Sequence, residues 1–392
     1  YIVDQWQWFQ LPVFSQNQKQ LNKEQSISGV RSHLRQAVHR QMVSDVPVGA
    51  FLSGGLDSSS IVAFAKEVAP DIRCFSIDTR GKNDNGFVDD LPYAKLAAKH
   101  LDVPLDIVTI DSHNMANDIE KMIYQLDEPL ADPAALNVLY ISQLARKQGI
   151  KVLLSGAGGD DLFTGYRRHY ALQIEKYWNW MPKSLRVSLE SLTGHLDTNN
   201  HIKRRISKLF SGAGLSSQDR LINYFRWTDT SILDSLFSPE LSRELKDHNS
   251  NSIMSDFIEP LMTNKTRLDC MLALEQRYFL TDHNLNYTDK MSMAVGVEAR
   301  VPFLDKDLVK LASKIPNKYK QKGSVGKWVL KKAMEPYLPK EIIYRPKTGF
   351  GVPLRSWIKC ELRDIIGDLL SVDSVRKRGL FSPDAVNCLI LD

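Results

Sequence analysis

Cysteine is scarce in this chain: four residues in 392 (Cys74, Cys270, Cys360 and Cys388), with no C-x-x-C pair among them. That spacing excludes a zinc ribbon or a disulfide framework and fits a reducing cytoplasm. Long apolar runs are missing too. None approaches the ~18 residues needed to cross a bilayer, and no signal-peptide pattern opens the chain. The sequence therefore reads as soluble and cytoplasmic, with no membrane partner. Neither sign of charge dominates: the formal net charge is +5, which suits an anionic ligand without calling for nucleic acid. The basic cluster Lys203, Arg204 and Arg205 is short and lacks interleaved aromatics, so it reads as a solvated helix face rather than an RNA patch. Internal repeats are absent. So is an initiator methionine, because the chain opens on Tyr1, and the expectation is a piece of something longer.

What is present is ordinary globular composition, 43% hydrophobic and 25% charged, at a length that suits two packed subdomains. Residues 1–25 begin with Trp6, Trp8 and Phe9 and turn polar, like the end of an upstream element followed by a linker. Val30 to Val43 carries apolar residues at helical spacing. Short apolar runs follow at 48–52, 72–77, 105–110 and 151–154, separated by helical stretches. Apolar strands alternating with helices of ten or more residues predict an α/β fold, a parallel sheet with helices on both faces. Beyond about Tyr170 the strand signals fade. The expected organisation is a remnant and linker over 1–25, a nucleotide-binding α/β core over 26–175, and a largely helical half over 176–392 that completes the site.

The sharpest local signal is Leu52-Ser53-Gly54-Gly55-Leu56-Asp57-Ser58-Ser59, between a strand and a helix. Ligands of open parallel sheets sit beyond the carboxyl ends of strands, and a helix N-terminus there offers free N–H groups and a positive dipole end to a phosphate. Gly54 and Gly55 let successive N–H groups converge with no side chain in the way. The hydroxyls of Ser53, Ser58 and Ser59 add donors. Asp57 would repel phosphate unless a cation stood between them, so it reads as a magnesium ligand. The plain alternative is a tight turn with Ser and Asp as helix caps. Two glycines, three serines and an acid within eight residues favour phosphate. The segment is not a Walker loop, lacking Gly-Lys-Ser/Thr, nor a G-x-S-x-G elbow.

Three further segments narrow the reading. Ser155-Gly156-Ala157-Gly158-Gly159-Asp160-Asp161 repeats the design at the end of the fourth strand, so Asp160 could meet Asp57 across the sheet edge and share one cation. Asp289-Lys290-Met291-Ser292-Met293-Ala294 runs on to Glu298-Ala299-Arg300-Val301-Pro302-Phe303-Leu304-Asp305; its methionines read as core packing and its charges as a salt-bridge network or a site. Tyr344-Arg345-Pro346-Lys347-Thr348-Gly349-Phe350-Gly351 sets a lysine in a loop, either solvated or placed against a phosphoryl group.

Taken together and in this order, over about residues 26–360, the four segments resemble the synthetase domain of glutamine-dependent asparagine synthases and the related β-lactam synthetases. The first loop is similar to the pyrophosphate loop of enzymes that split ATP to AMP and pyrophosphate. The resemblance implies an adenine nucleotide α-hydrolase-like fold, with Leu52, Ile77, Ser155 and Gly156 holding adenosine. It implies that Asp57 and Asp160 bind Mg2+ and that Lys347 neutralises the α-phosphate of ATP. Asp127-Glu128-Pro129 through Asn137 would lie near the substrate. The implied reaction activates a small-molecule carboxylate as acyl-AMP and amidates it with ammonia from a glutaminase domain that this chain lacks. The acceptor would be aspartate or another carboxylate such as a sugar acid, with a homodimer left open. Ala157 departs from the pattern, because the family usually has a carboxylate there; Asp161 is the acid expected to take the amine proton instead. Two other readings remain at this point, a tRNA-modifying enzyme with the same loop and a binding domain with a decayed site.

Overall fold

The computed structural model describes residues 4–14, 19–80, 89–196, 201–346 and 354–391. The chain divides into two compact units: Tyr1–Ile174 with Lys265–Val352, and Glu175–Asn264 with Pro353–Asp392. The stretch expected as one helical half, 176–392, is thus shared between them.

The first unit is built on a parallel sheet. Strands β1 (Val48–Phe51), β2 (Cys74–Arg80), β3 (Leu105–Asp111), β4 (Val152–Leu154) and β5 (Glu298–Arg300) lie in the order β3-β2-β1-β4-β5, each pair parallel. The first four follow the apolar runs in the sequence. The fifth does not, since two of its three residues are charged and its strand character comes from pairing with β4 through Val152–Glu298, Leu153–Ala299 and Leu154–Arg300.

Helices cover both faces. On one, α1 (Lys23–Gln41) opens with a capping box between Asn22 and Gln25 and buries Val30, Leu34, Ala37 and Val38, one stripe at helical spacing. Behind it α2 (Leu56–Ala65) is buried along nearly its whole length, Ile61, Val62 and Phe64 joining the main core with Leu52. Its second half, Ile61–Ala65, is apolar all round, as suits a helix that lies inside. Beside it runs α3 (Leu91–Leu101). On the opposite face α4 (Ala134–Lys147) supplies Ile141 and Ala145 to a second core with Phe75, Leu153 and Val297.

The charges of the 289–305 segment do not form one network among the described residues. Arg300 pairs with Glu298 at 2.7 Å and donates to the carbonyls of Gln41 and Val43. Asp305 instead meets Arg40 at 2.7 Å and caps the helix Lys306–Lys314. Lys290 pairs with Asp127. The second unit is helical where described. Within it Glu175, buried, accepts from Tyr224 at 2.8 Å and faces Arg220 at 3.6 Å, and Phe237 stacks on Phe381.

Candidate functional site

Strand order reverses between β1 and β4, and at such a switch point the chain ends diverge and leave a crevice beyond the carboxyl ends. Both glycine turns of the sequence open there, one after each strand. The first is tightly built. Gly54 has φ +69°, and a Cβ on it would lie 2.2 Å from the carbonyl carbon of Tyr93 and 2.3 Å from the nitrogen of Ala94. No other residue fits against the first turn of α3. Gly55 caps α2. The hydroxyls of Ser53 and Ser58 stand 3.1 Å apart, with the Ser53 N–H directed at Ser58 Oγ. Ser59 is fully buried, and its N–H is spent on the Gly55 carbonyl within α2.

The second turn lies on the first. A Cβ on Gly156 would come within 2.9 Å of Ser58 N, and one on Gly159 within 2.7 Å of the Asp57 carboxyl. Gly158 takes φ +87° just before the short helix α5 (Gly159–Phe163). Glycine at these places lets the two turns close on one another and brings Asp57 and Asp160 together.

Between those acids stands a cation that the sequence reading missed. Lys327 Nζ contacts both carboxylates, at 2.5 Å from Asp160 Oδ1 and closer still to Asp57 Oδ2. Burial pulls its pKa down, but Asp160 and Asp57 outweigh that and hold it above the ordinary lysine value. Its delivery is structural. Lys327 has φ +53° at the head of α6 (Trp328–Met334) and donates its N–H to the Phe163 carbonyl at 2.9 Å. The preceding Gly326 passes so close to Thr164 O that a Cβ would be 2.0 Å away. The only sequence signal was Gly326-Lys327 ahead of an apolar helix, which is too weak to single out.

As a metal site, the donors are two carboxylates from two strand ends. Among the described residues no group of three or more His, Cys, Asp or Glu could hold a metal. A pair of carboxylates is the number that Mg2+ takes from a protein when phosphate oxygens and water complete its octahedron.

The remaining expected residues are placed as follows. Leu52 is 1% exposed and part of the main core, so only its backbone could reach a ligand. Ile77 sits half-buried against the second core. Ser155 donates its N–H to Arg300 O at 2.7 Å, and its hydroxyl accepts from Ala157 N at 3.3 Å. Asp161 is 1% exposed and turned to Tyr166, whose hydroxyl lies 3.3 Å from both carboxylate oxygens. Burial, with Asp161 and Asp160 adding to it, pushes the Tyr166 phenol well above its ordinary pKa, so Tyr166 acts as a donor. Asn284 donates to that phenol at 3.2 Å, and its neighbour His283 faces Asp132 at 3.3 Å; both come from the wide-wound stretch Glu275–Leu285. Asp132 belongs to the 127–137 segment expected near the substrate. Lys347 lies outside the described residues.

The sequence matches the family "Asparagine synthase" over residues 29–391, and the chain belongs to that family. Glutamine-hydrolyzing asparagine synthetase 1 of Bacillus subtilis is 32% identical over 354 residues, covering 90% of this chain and 53% of the relative. Amidase chyE of Penicillium rubens is 26% identical over 390 residues, covering 91% and 57%. The chain spans about half the length of the curated relatives it matches. A solved NH3-dependent NAD synthetase from Campylobacter jejuni covers 50% of this chain and 98% of its own at 14% identity, with a TM-score of 0.25 too low to argue from.

Proposed function

We propose that this chain is the synthetase part of an ATP-dependent amide-forming ligase that activates a carboxylate as its acyl-adenylate. The observation that carries this reading is the meeting of Asp57, Asp160 and Lys327 at the switch point, beside a glycine turn that opens a buried helix. Two acids that converge on one ammonium make an unusual structural pair but a natural seat for a triphosphate with its counter-cation. Asp57 and Asp160 would hold Mg2+, which would supply positive charge against the phosphates.

In the first step a carboxylate oxygen of the substrate attacks the α-phosphorus. The new O–P bond forms as the bond to the β-phosphate oxygen breaks, and pyrophosphate leaves with that electron pair. The Ser53–Ser58 turn grips the leaving half by its N–H groups and hydroxyls, Lys327 balances its charge, and Lys347 is assigned to the α-phosphate under attack. Ammonia then attacks the acyl carbon, the C–N bond forms, and AMP departs with the C–O pair. One proton must leave the nitrogen. Ala157 has no group to take it, and Asp161, hydrogen-bonded by Tyr166, is the acid of the same turn that we assign to it. Splitting one hard amidation into two easier displacements is the chemical gain.

Ammonia would come from a glutaminase partner, as the name of the glutamine-hydrolyzing relative suggests. Ala157 favours an acceptor other than aspartate, and the relative named as an amidase shows that proteins of this kind carry more than one name. No helix among the described residues is long and apolar enough to cross a membrane, and the four cysteines are free, which supports a reducing compartment. The test is a screen of carboxylates, aspartate and sugar acids included, for pyrophosphate release from MgATP with ammonium present. Release that depends on one carboxylate and yields AMP is the expected result; RNA-dependent cleavage, or binding of MgATP without turnover on any acid, would replace the reading.

A further inference from the structure

The phosphate turn has a lateral support outside the centre just described. The Arg345 side chain is buried, 4% exposed, and three groups from two elements converge on it. Its Nη2 pairs with Asp90, which immediately precedes α3. Its guanidinium plane lies 4.0 Å from the ring centroid of Tyr93, in the first turn of that helix. Its Nη1 donates to the backbone carbonyl of Ser53 at 3.4 Å.

That last bond bears on the site directly. The Ser53 carbonyl and the Gly54 N–H belong to one planar trans peptide, so they point in opposite directions. A donor that holds the carbonyl on one side fixes the N–H on the other. The same arginine anchors the helix whose Tyr93 and Ala94 backbone leaves no room beside Gly54. It therefore ties the peptide that opens the turn to the wall it leans on. Pro346 follows and restricts the Arg345 backbone to extended conformations. Lysine could not substitute, because one ammonium lacks both the fork that reaches Asp90 and Ser53 O together and the flat face that stacks on Tyr93.

We infer that Arg345 is a positioning residue for pyrophosphate: buried away from the ligand, it sets the Ser53–Gly54 peptide so that its N–H is preorganised for the β- and γ-phosphates. The inference rests on the phosphate-binding reading of that turn. It predicts a selective defect, since ligands carrying those phosphates lose affinity while AMP, which lacks them, does not.

The experiment measures dissociation constants of the 392-residue chain for Mg-pyrophosphate, MgATP and AMP by calorimetry, in wild type, Arg345→Lys, Arg345→Gln and Asp90→Asn. The expected result is a loss of about tenfold or more for Mg-pyrophosphate and MgATP in both Arg345 variants, the scale of a lost charge-assisted hydrogen bond. AMP binding should stay within about twofold. Asp90→Asn should give the same selective pattern to a smaller degree, and it stands in for Arg345 should those variants fold poorly. Wild-type affinity in Arg345→Lys would overturn the inference, leaving a charge without a clamp. So would parallel losses of AMP and pyrophosphate, the mark of general damage. A wild-type protein that binds AMP as tightly as MgATP and ignores Mg-pyrophosphate would overturn the phosphate reading itself, and this inference with it.

Discussion

Lys320 and Lys327 lie seven residues apart, both inside the first unit and both nearly covered, at 4% and 8% exposure, yet their charges are treated in opposite ways. Burial lowers the Lys320 pKa from 10.5 to about 8, and Asp269 offsets only part of that. At Lys327 burial acts in the same direction, but Asp160 and Asp57 in direct contact reverse it. Burial alone loosens a lysine's hold on its proton, whereas two touching carboxylates tighten it. A cation so secured is a designed part of a site; one left to burial is a liability of packing.

The pairing at Lys327 is broken most severely by Asp57→Asn. The variant removes one of the two acids that flank the cation and, in our reading, a ligand of Mg2+. ATP–pyrophosphate exchange, run with whichever carboxylate supports turnover, is expected to fall by about 10³-fold, the upper end for loss of one electrostatic stabiliser. Exchange at the parental rate would remove Asp57 from the chemistry and leave the triad a structural ion cluster.

Next in size is Lys327→Met. Removing one partner of a buried ion cluster costs about 3–5 kcal/mol because the remaining charges are left uncompensated. Here the remainder is two carboxylates side by side, so the melting temperature should drop in metal-free buffer and recover when millimolar Mg2+ is added. Recovery is the informative part. A divalent cation that replaces an ammonium restores the stability only if both acids can take it as a ligand, and a melting temperature indifferent to Mg2+ would argue against a shared cation site.

How much of this was legible beforehand follows from distance along the chain. The sheet was, because apolar runs of four or more residues alternate with helices, and so was the meeting of Asp57 with Asp160, because each sits in a glycine turn after a strand. Lys327 was not. Its partners are 270 and 167 residues away in sequence, and only the approach of Gly326 to Thr164 puts it there. Strand β5 was hidden for a related reason: Glu298-Ala299-Arg300 has no apolar pattern, and its conformation is imposed by the edge of β4. Arg345 stood in plain view beside Lys347, but its worth depends on a carbonyl, a ring and an acid drawn from two other elements.

The Lys320 side of the comparison makes its own prediction. With a folded pKa of about 8 and an ordinary value of 10.5, the unfolded chain holds the proton more tightly between those limits. Stability therefore rises with pH across about 8 to 10.5, and the penalty is fully present below about 8. Its size is about 3 kcal/mol, from a shift of some two and a half units. Lys320→Met should raise the melting temperature at pH 7 and flatten that rise, the gain over wild type vanishing near pH 10.5. A variant less stable than wild type at pH 7 would mean that the ammonium has a stronger partner than Asp269.

The smallest effects come from two glycines that differ only in what they face. On Gly159→Ala the new methyl would lie 2.7 Å from the Asp57 carboxyl, so either that acid or α5 must shift. A displacement of this order at a ligand costs about tenfold in MgATP affinity, with an overpacking loss of about 1 kcal/mol in stability. On Gly55→Ala the methyl meets, among the described residues, only Ser53 Oγ, at 3.3 Å, and the backbone there, φ −79° and ψ 162°, is open to any residue. Alanine is a poorer helix cap than glycine by up to about 1 kcal/mol but has less freedom to lose on folding, by about 0.4–1 kcal/mol, so the two terms nearly cancel. The melting temperature should stay close to wild type. Equal losses at the two positions would mean that the glycines serve the turns generally; the predicted contrast ties the cost to the Asp57 carboxylate and, through it, to the charge on Lys327.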